Sequence, residues 1–203
     1  MNIAIVGTGN IGGALATKWA LKGHTISLGV NNQNQFKGRE LLNNQNTSVS
    51  SVSEAVSKSD VVLIAIPPTA IFDVIPQFNN ITGKIVIDAT NSVRQSPDPY
   101  KTVYHCLMEK TQGEVVKCFN TTGFENIINP IYQGEGIDMF MAGDSERAKH
   151  VASKLSLDAG FGSCIDFGKS DKVELLEKFA LCWINLAIMQ GQGRNIAFKL
   201  VRR

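Results

Sequence analysis

The sequence predicts an α/β fold in which helices cover both faces of a doubly wound, mostly parallel sheet. Short apolar runs alternate with segments of helical period along the chain. Several runs are unbroken, as expected for strands buried on both faces, and right-handed crossovers leave few other arrangements. Because 43% of the 203 residues are hydrophobic and 19% are charged, we predict a single domain over 1–203. Its C-terminal helices, 171–203, would form a small appendage packed on the domain or on a partner subunit.

The chain opens with a strand, a glycine-rich turn and a helix. Apolar residues 3–6 are followed by three spaced glycines and then by apolar residues at helical spacing. The first glycine allows a sharp turn, the second lets the backbone approach a pyrophosphate, and the third lets the helix pack on the strand. Free N–H groups at the helix start would hold the phosphates. The pattern predicts a dinucleotide-binding Rossmann loop, and the alternative is a turn that only joins two elements. The loop residues are Gly7, Thr8, Gly9, Asn10, Ile11 and Gly12.

The later elements follow from apolar runs separated by turn residues. Gly23-His24 ends the first helix, Pro67-Pro68 ends a buried strand, and Gly191-Gln192-Gly193 ends the last long helix. Residues 179–189 are apolar almost all round, which predicts burial against the core, a partner or a planar substrate. We predict later strands at 25–28, 61–66, 85–87, 115–119, 139–142 and 164–167. We predict later helices around 53–57, 71–75, 100–110, 148–155 and 171–189, and a short terminal helix.

The segment after the second strand bears on the choice of coenzyme. A carboxylate about 20 residues beyond the glycines would bind the ribose hydroxyls of NAD. Here that position has Gly29-Val30-Asn31-Asn32, so no acid repels a 2′-phosphate. The Asn31 and Asn32 amides could donate to that phosphate, and Lys37 and Arg39 lie near enough to add charge. The sequence therefore favours NADP over NAD, unless the asparagines only form a solvated turn.

Three strand exits are expected to reach the rim where a doubly wound sheet binds its ligand. The first is apolar and suits packing along a ribose and a nicotinamide. The other two supply hydroxyl and amide groups that could fix the carboxamide or a substrate, although each exit could serve only to cap a helix or to turn. The predicted binding residues there are Ala65, Ile66, Pro67, Ala89, Thr90, Asn91, Asn120 and Thr121.

Several site classes have no support in the sequence. No nucleophile arrangement, paired catalytic acid or metal-ligand spacing occurs, and His24, His105 and His150 are expected to be structural or solvent-facing. We therefore assign no catalytic side chain and no metal, and we expect transfer of a hydride alone.

Composition limits the partners. The net charge of +2 argues against nucleic acid, and the longest apolar stretch is too short for a membrane span. The four cysteines lie far apart, form no metal or redox pair, and suit a reduced, cytoplasmic protein.

Five segments together carry a family likeness, and they run through nearly the whole chain: 7–12, 86–91, 115–121, 141–144 and 174–203. They resemble the deazaflavin (coenzyme F420)-dependent NADP reductase family. The resemblance implies a Rossmann domain with a small C-terminal part, often dimeric, and direct hydride exchange between NADP and the deazaflavin ring. It implies that Thr8 and the loop after the second strand hold the 2′-phosphate, although members commonly have Ser-Arg where this chain has Val30-Asn31. A weaker resemblance extends to the NADP-binding halves of pyrroline-carboxylate and imine reductases.

The residues and the resemblance lead to one main hypothesis and two alternatives. The main hypothesis is an NADP-dependent oxidoreductase, expected as a homodimer, that transfers a hydride between NADP(H) and a deazaflavin, a flavin or a similar planar acceptor. A non-catalytic NADP(H) sensor that reports redox state to a protein partner is the second. A ketone or imine reductase is the third, and it would need a proton donor among Thr90, Asn120 and Thr121.

Overall fold

The computed structural model describes residues 1–203, which form ten strands and seven α-helices joined by short 3₁₀ turns. The strands are β1 Asn2–Val6, β2 Thr25–Gly29, β3 Thr47–Ser50, β4 Val61–Ile64, β5 Ile85–Asp88, β6 Glu114–Cys118, β7 Ile131–Tyr132, β8 Glu135–Gly136, β9 Asp138–Ala142 and β10 Ser163–Asp166. The helices are α1 Asn10–Leu21, α2 Val52–Lys58, α3 Ile71–Val74, α4 Val103–Lys110, α5 Phe124–Ile128, α6 Glu146–Ala159 and α7 Val173–Ile184, which a π-turn at Asn185–Met189 continues.

Eight strands form one sheet in the order β10-β9-β6-β5-β4-β1-β2-β3. The six neighbouring strands β6-β5-β4-β1-β2-β3 all pair in parallel, which confirms the predicted doubly wound fold. Because the chain leaves β1 towards one edge and β4 towards the other, the switch point lies between these two strands. β9 joins β6 antiparallel through only two residue pairs, and β10 runs parallel to β9.

Apolar side chains cover both faces of the sheet. One core cluster contains Trp19 of α1 and Leu155 of α6, and the other contains Tyr104 of α4 and Leu176 of α7. The indole Nε1 of the fully buried Trp19 donates to the Leu155 carbonyl at 2.8 Å, so its polar atom is satisfied inside the core. The sheet is thus held rigidly from both sides, and its strand exits have fixed positions.

The structure corrects three predictions about the elements. Strand β3 lies in a segment that showed no strand signal, because its sequence TSVS is polar and it forms a half-exposed sheet edge. The helix predicted over 71–75 is a single α-turn between 3₁₀ turns. The predicted terminal helix is absent, since residues 190–203 contain no helix.

The C-terminal tail is tied down by side chains instead of by helical hydrogen bonds. The Ile196 carbonyl accepts from Trp183 Nε1 and from Asn126 Nδ2, both at 2.7 Å. The Phe198 ring stacks on Phe179 with centroids 4.6 Å apart. These contacts fold the tail back across the end of α7.

The apolar stretch at the end of α7 is only partly buried in this single chain. Trp183 and Ala187 face inwards, whereas Leu181, Ile188 and Met189 are 39%, 49% and 61% exposed. No helix in the structure combines the length and the apolarity that crossing a membrane requires.

Two of the four free cysteines come together although they are distant in sequence. The Cys118 and Cys164 sulfurs lie 3.9 Å apart. Burial, together with the neighbouring Cys164 thiol, raises the pKa of the Cys118 thiol well above its ordinary value, so Cys118 is a poor nucleophile.

Candidate functional site

The glycine-rich turn between β1 and α1 has the geometry that a bound pyrophosphate needs. Gly7 has a φ of +105°, and a Cβ there would lie 2.3 Å from the Ala65 carbonyl oxygen. A Cβ at Gly12 would lie 1.9 Å from the Gly7 carbonyl oxygen, which explains the tight packing of helix on strand. A Cβ at Gly9 would meet no atom within 4 Å. The fold itself therefore requires glycine at positions 7 and 12, but not at position 9.

The start of α1 is left open to an anion. Gly9 is the N-cap residue, no side chain caps the first turn, and no acidic residue lies in it. The N–H groups of that turn therefore have no side-chain acceptor and can bind a phosphate, which the helix dipole favours. The turn fits the diphosphate of a dinucleotide.

The loop after β2 packs directly against this turn. The Thr8 hydroxyl donates to the Lys37 carbonyl, and the Lys37 ammonium donates to Asn10 Oδ1 at 3.3 Å. The structure therefore places the Lys37 charge beside the start of α1. The buried Thr8 hydroxyl has a backbone partner, so any contact of Thr8 with a ligand requires that hydroxyl to be shared.

The two asparagines at the end of β2 are exposed and have different neighbours. Asn32 Oδ1 accepts from the backbone N–H of Asn34 at 3.0 Å, so Asn32 forms a turn of the kind that asparagine favours. Asn31 Oδ1 accepts from Gln77 Nε2 at 3.4 Å, which leaves the Asn31 amide N–H groups available. Because each asparagine uses only its Oδ1 as an acceptor, both keep amide N–H groups that can donate to a phosphate.

The exits of β5 and β6 are joined by a reciprocal pair of amides. Asn91 Nδ2 donates to the Asn120 backbone carbonyl at 2.8 Å, and Asn120 Nδ2 donates to Asn91 Oδ1 at 3.0 Å. These bonds fix both amide orientations and leave Asn120 Oδ1 buried without a donor. The Thr90 hydroxyl is also buried without a partner. A buried acceptor of this kind is satisfied if a ligand supplies an N–H or O–H group.

A cleft of about 630 Å³ opens at the switch point, and we call it the rim cleft. It lies between the start of α1, the exits of β4, β5 and β6, the end of α7 and the tail. Arginine is the only titratable residue type in its lining. The lining residues are Asn10, Ile11, Pro68, Asn91, Val93, Arg94, Gln95, Asn120, Thr122, Gly123, Phe124, Ala180, Trp183, Ile184, Ile188 and Arg194.

The rim cleft gathers only some of the residues predicted from sequence. Asn10, Ile11, Asn91 and Asn120 line it, whereas the half-buried Ala65 and Ile66 and the exposed Pro67 lie behind Pro68 and do not. Ala89 and Thr90 are buried beneath its floor. The buried Thr121 hydroxyl faces the sulfur of Met139 at 3.6 Å, so it points into the core.

Sequence reasoning gave residues 179–189 three alternative contacts, namely the core, a partner or a planar substrate, but it named no individual residue of the wall that α7 and the tail form. Trp183 packs so closely on the β6 exit that a Cβ at Gly123 would lie 2.6 Å from its ring. The Arg194 guanidinium lies over the Trp183 and Phe124 rings, 5.5 and 5.8 Å from their centroids, and forms an ion pair with Glu125. Burial alone would raise the pKa of Glu125, but its hydrogen bond to Arg194 holds that pKa below its ordinary value. The apolar stretch of the last helix was the one available signal.

Three ionisable side chains lie buried where β5 and β6 meet α7. The Lys117 ammonium donates to Asp88 Oδ2 at 2.9 Å and to Glu177 Oε1, and all three side chains are at most 6% exposed. Burial raises the pKa of the Glu177 carboxyl, and the nearby Lys117 ammonium opposes that rise. Asp88 and Lys117 are register partners in neighbouring buried strands, so a charge within each apolar run was the signal for this pair.

Comparison with known proteins agrees with this geometry. Residues 2–92 match the family model described as NADP oxidoreductase, coenzyme F420-dependent. The chain is 23% identical, over 88% of its length, to a glycerol-3-phosphate dehydrogenase [NAD(P)+] of Thermoanaerobacter sp. (strain X514). It spans 64% of that relative, which is less than two thirds.

Solved structures share the fold. One from Arthrobacter sp. FB24, described provisionally as an F420-dependent NADP reductase, superposes with a TM-score of 0.86 at 21% identity, and each chain covers 100% of the other. A reductive aminase from Aspergillus terreus, in complex with NADPH and ethyl levulinate, gives a TM-score of 0.69 at 17% identity over 94% of this chain and 62% of that one. Residues 2–92 are therefore similar to coenzyme F420-dependent NADP oxidoreductases, and the whole chain shares the fold of these solved structures.

Proposed function

We propose that the protein transfers a hydride between NADP(H) and a planar acceptor of the flavin or deazaflavin class. The observation that carries the proposal is the rim cleft, which lies beside the glycine-rich turn and is lined by Asn120, whose Oδ1 is a buried acceptor without a partner. The carboxamide N–H₂ of a nicotinamide, or a ring N–H of the acceptor, would satisfy that oxygen. When bound, the coenzyme supplies the hydride from its dihydronicotinamide ring, and the acceptor takes its accompanying proton from water.

The surroundings of the turn support NADP as the coenzyme. β2 ends without a carboxylate, and the Lys37 ammonium lies beside Asn10 at the start of α1. Asn31 retains free amide donors on the same loop. A cation and an amide at this place favour a 2′-phosphate, whereas the carboxylate that binds NAD ribose is missing.

The shape and chemistry of the rim cleft support a planar acceptor with an anionic group. Its volume is in the range of ligand sites, and the rings of Trp183 and Phe124 offer flat apolar surface. Arg94 is exposed at the mouth and Arg194 lies over the two rings, so both could bind a phosphate or a carboxylate. A flavin mononucleotide or a deazaflavin with an acidic side chain has both features.

The lining also bears on the alternatives. Reduction of a ketone or an imine needs a proton donor, but the Thr121 hydroxyl points into the core and the Thr90 hydroxyl lies under the floor. Arginines are the only titratable groups in the lining, which favours transfer of hydride alone. The sensor is favoured by one observation, the exposed apolar side chains of Ile188 and Met189 beside the cleft, which a protein partner could cover.

The decisive experiment is consumption of NADPH with a panel of acceptors. We expect loss of the reduced nicotinamide absorbance with flavin mononucleotide or a deazaflavin, slower loss with riboflavin, and weaker activity with NADH. Asn120→Asp should suppress turnover, because a carboxylate no longer donates to Asn91 Oδ1 and the amide pair is lost. Tight NADPH binding without turnover on any acceptor would favour the sensor and contradict the enzyme.

A further inference from the structure

We propose that Lys117 and Glu177 are positioning residues for hydride transfer: together with Asp88 they form a buried charge triad that fixes the loop of residues 89–93 against α7 and so sets the width of the rim cleft. The inference rests on the proposed function for its kinetic readouts. Neither Lys117 nor Glu177 lines the cleft, so neither is assigned contact with a coenzyme or an acceptor.

Each of the two carboxylates of the triad binds Lys117 with one oxygen and a backbone N–H of the loop with the other. Asp88 Oδ1 accepts the backbone N–H of Thr90 at 2.9 Å, and Glu177 Oε2 accepts the backbone N–H of Ser92 at 2.8 Å. Lys117 bonds the remaining oxygen of each carboxylate. Two alternate N–H groups of the loop are thus held by two carboxylates that share one ammonium.

The residue between those two N–H groups is Asn91, which carries half of the amide pair. With Thr90 and Ser92 fixed, the Asn91 side chain can reach the Asn120 carbonyl and orient the Asn120 amide. The unpaired Asn120 Oδ1 therefore owes its direction to a triad that lies under it. A misplacement of about 1 Å at such a group costs about 100-fold in rate.

The same triad fixes the opposite wall. Glu177 is on α7, and Ala180, Trp183 and Ile184 follow it at near-helical spacing and line the cleft. Because Glu177 is bonded to Lys117 on β6, the rotation of α7 about its axis is set from the sheet. The Lys117 ammonium group therefore fixes the positions of both the loop of residues 89–93 and α7.

Burial distinguishes this triad from a surface ion pair. Lys117 and Asp88 are 0% exposed, and one cation is shared by two carboxylates in the interior. Buried ion groups are costly and often replaceable by apolar side chains, so they are weak as a source of stability. Here the charged groups determine the geometry of the loop, because apolar side chains could not accept hydrogen bonds from the N–H groups of Thr90 and Ser92.

The test compares Glu177→Gln with a matched control on the same helix, Glu174→Gln. Glutamine has one oxygen and one N–H₂ group, so it can accept from Lys117 or from Ser92 but not from both. Glu174 lies one turn earlier, is 41% exposed and pairs with Lys101 outside the triad. Glu177→Asp keeps the charge and shortens the side chain by one methylene, and it serves if the glutamine variant fails to fold.

Three quantities are measured in each folded variant: the NADPH dissociation constant, the kcat and KM with flavin mononucleotide, and amide hydrogen exchange over residues 89–93. For Glu177→Gln we expect an NADPH dissociation constant within about threefold of wild type, because the glycine turn is untouched, and a fall in kcat/KM of about 100-fold. Exchange should quicken over 89–93 and stay unchanged over β1. Glu174→Gln should match wild type in all three.

Two results would overturn the proposal. One is a folded Glu177→Gln protein with wild-type exchange over 89–93 or wild-type kcat/KM. The other is a loss of NADPH binding as large as the loss of kcat/KM, which would indicate general destabilisation. If the wild-type protein reduces no acceptor, the proposed function fails by itself. Hydrogen exchange over residues 89–93 then still decides the positioning role, since wild-type exchange in Glu177→Gln would overturn it.

Discussion

At the residue scale, Gly9 and Gly12 show why glycines of one motif are not equivalent. A Cβ at Gly12 would overlap the Gly7 carbonyl oxygen, and a Cβ at Gly9 would touch no protein atom. Gly12 is therefore required for folding and Gly9 is available for a ligand. The sequence motif predicted both roles because the spacing of the glycines relative to the strand and the helix determines them.

The first prediction separates these roles. Gly9→Ala should change the free energy of unfolding by no more than about 1 kcal/mol, the loss expected for alanine at an N-cap. It should weaken NADPH binding at least about tenfold, or 1.4 kcal/mol, because the methyl group occupies the approach of a pyrophosphate. Gly12→Ala should destabilise by about 3 kcal/mol, the upper end of overpacking costs. Urea unfolding and NADPH titration check both, and unchanged NADPH affinity in Gly9→Ala would refute the assignment of the turn.

The second prediction concerns coenzyme choice. Lys37→Ala should weaken NADPH binding by about 10- to 100-fold, the worth of a hydrogen bond to a charged group, and leave NADH binding nearly unchanged. Lys58→Ala, which removes an exposed lysine from the last turn of α2, should change neither. Equal losses for NADPH and NADH would show that Lys37 does not bind the 2′-phosphate.

Residue-scale reasoning from sequence did not find the charge triad. Asp88, Lys117 and Glu177 are widely separated in the chain, and each alone resembles an ordinary polar residue near the end of an element. Only the pairing of β5 with β6, and the packing of α7 over them, brings the three together. A charged residue inside a strand buried on both faces still requires a partner, so the sequence indicates that Asp88 and Lys117 each need one.

At the scale of elements, the strands buried on both faces were predictable and the peripheral segments were not. β4 is a continuous apolar run and β5 is apolar up to Asp88, so their composition alone predicts burial on both faces. β3 is a polar edge strand, and backbone pairing with β2 holds it in the extended conformation that its polar side chains do not predict. The tail has apolar residues at helical spacing, but contacts with α7 and α5 hold it in an irregular conformation.

The third prediction tests the tail as one wall of the rim cleft. Arg194→Ala should raise the KM for flavin mononucleotide about tenfold, because a charge-assisted contact with its phosphate is lost, and should raise the KM for riboflavin much less. Arg202→Ala, at an exposed position near the end of the tail, is the control. Steady-state kinetics with both acceptors measures the effect, and identical changes for the two acceptors would argue against phosphate binding by Arg194.

At the scale of the whole molecule, the doubly wound topology followed from the alternation of strands and helices. The antiparallel addition of β9 and β10 did not, because pairing direction beyond β6 depends on the path of the intervening chain. The topology predicts a ligand site at the strand exits, and the rim cleft lies there. The wall formed by α7 and the tail comes from the last quarter of the chain. Location was therefore predictable from topology, and shape was not.

The fourth prediction is that acid destabilises the fold. Hydrogen bonds from Ser145 and Arg147 lower the pKa of Glu114, and a bond from Ser170 lowers that of Asp144. Their ordinary values are 4.5 and 3.8, so their stabilisation is present above those values and is lost as pH falls through the lower folded-state pKa. Urea unfolding at a series of pH values should show stability falling below about pH 4.5, and Glu114→Gln should reduce the slope. A flat profile would contradict this linkage.

The fifth prediction is the homodimer expected from the sequence. Ile188, Met189 and Val201 are 49%, 61% and 82% exposed at the end of α7 and in the tail. If a second copy covers them, light scattering should give twice the monomer mass, and Ile188→Asp should shift the protein towards monomer. A monomeric wild-type protein would reject the prediction.

The position of Glu177 has a consequence for biosynthesis. The ribosome makes the glycine-rich turn and β5 well before Glu177, whose carboxylate holds the Ser92 N–H. A nascent chain stalled before α7 should already have its first strands paired, yet lack an ordered exit from β5. Under the proposed positioning role, the rim cleft is therefore complete only once α7 has been made.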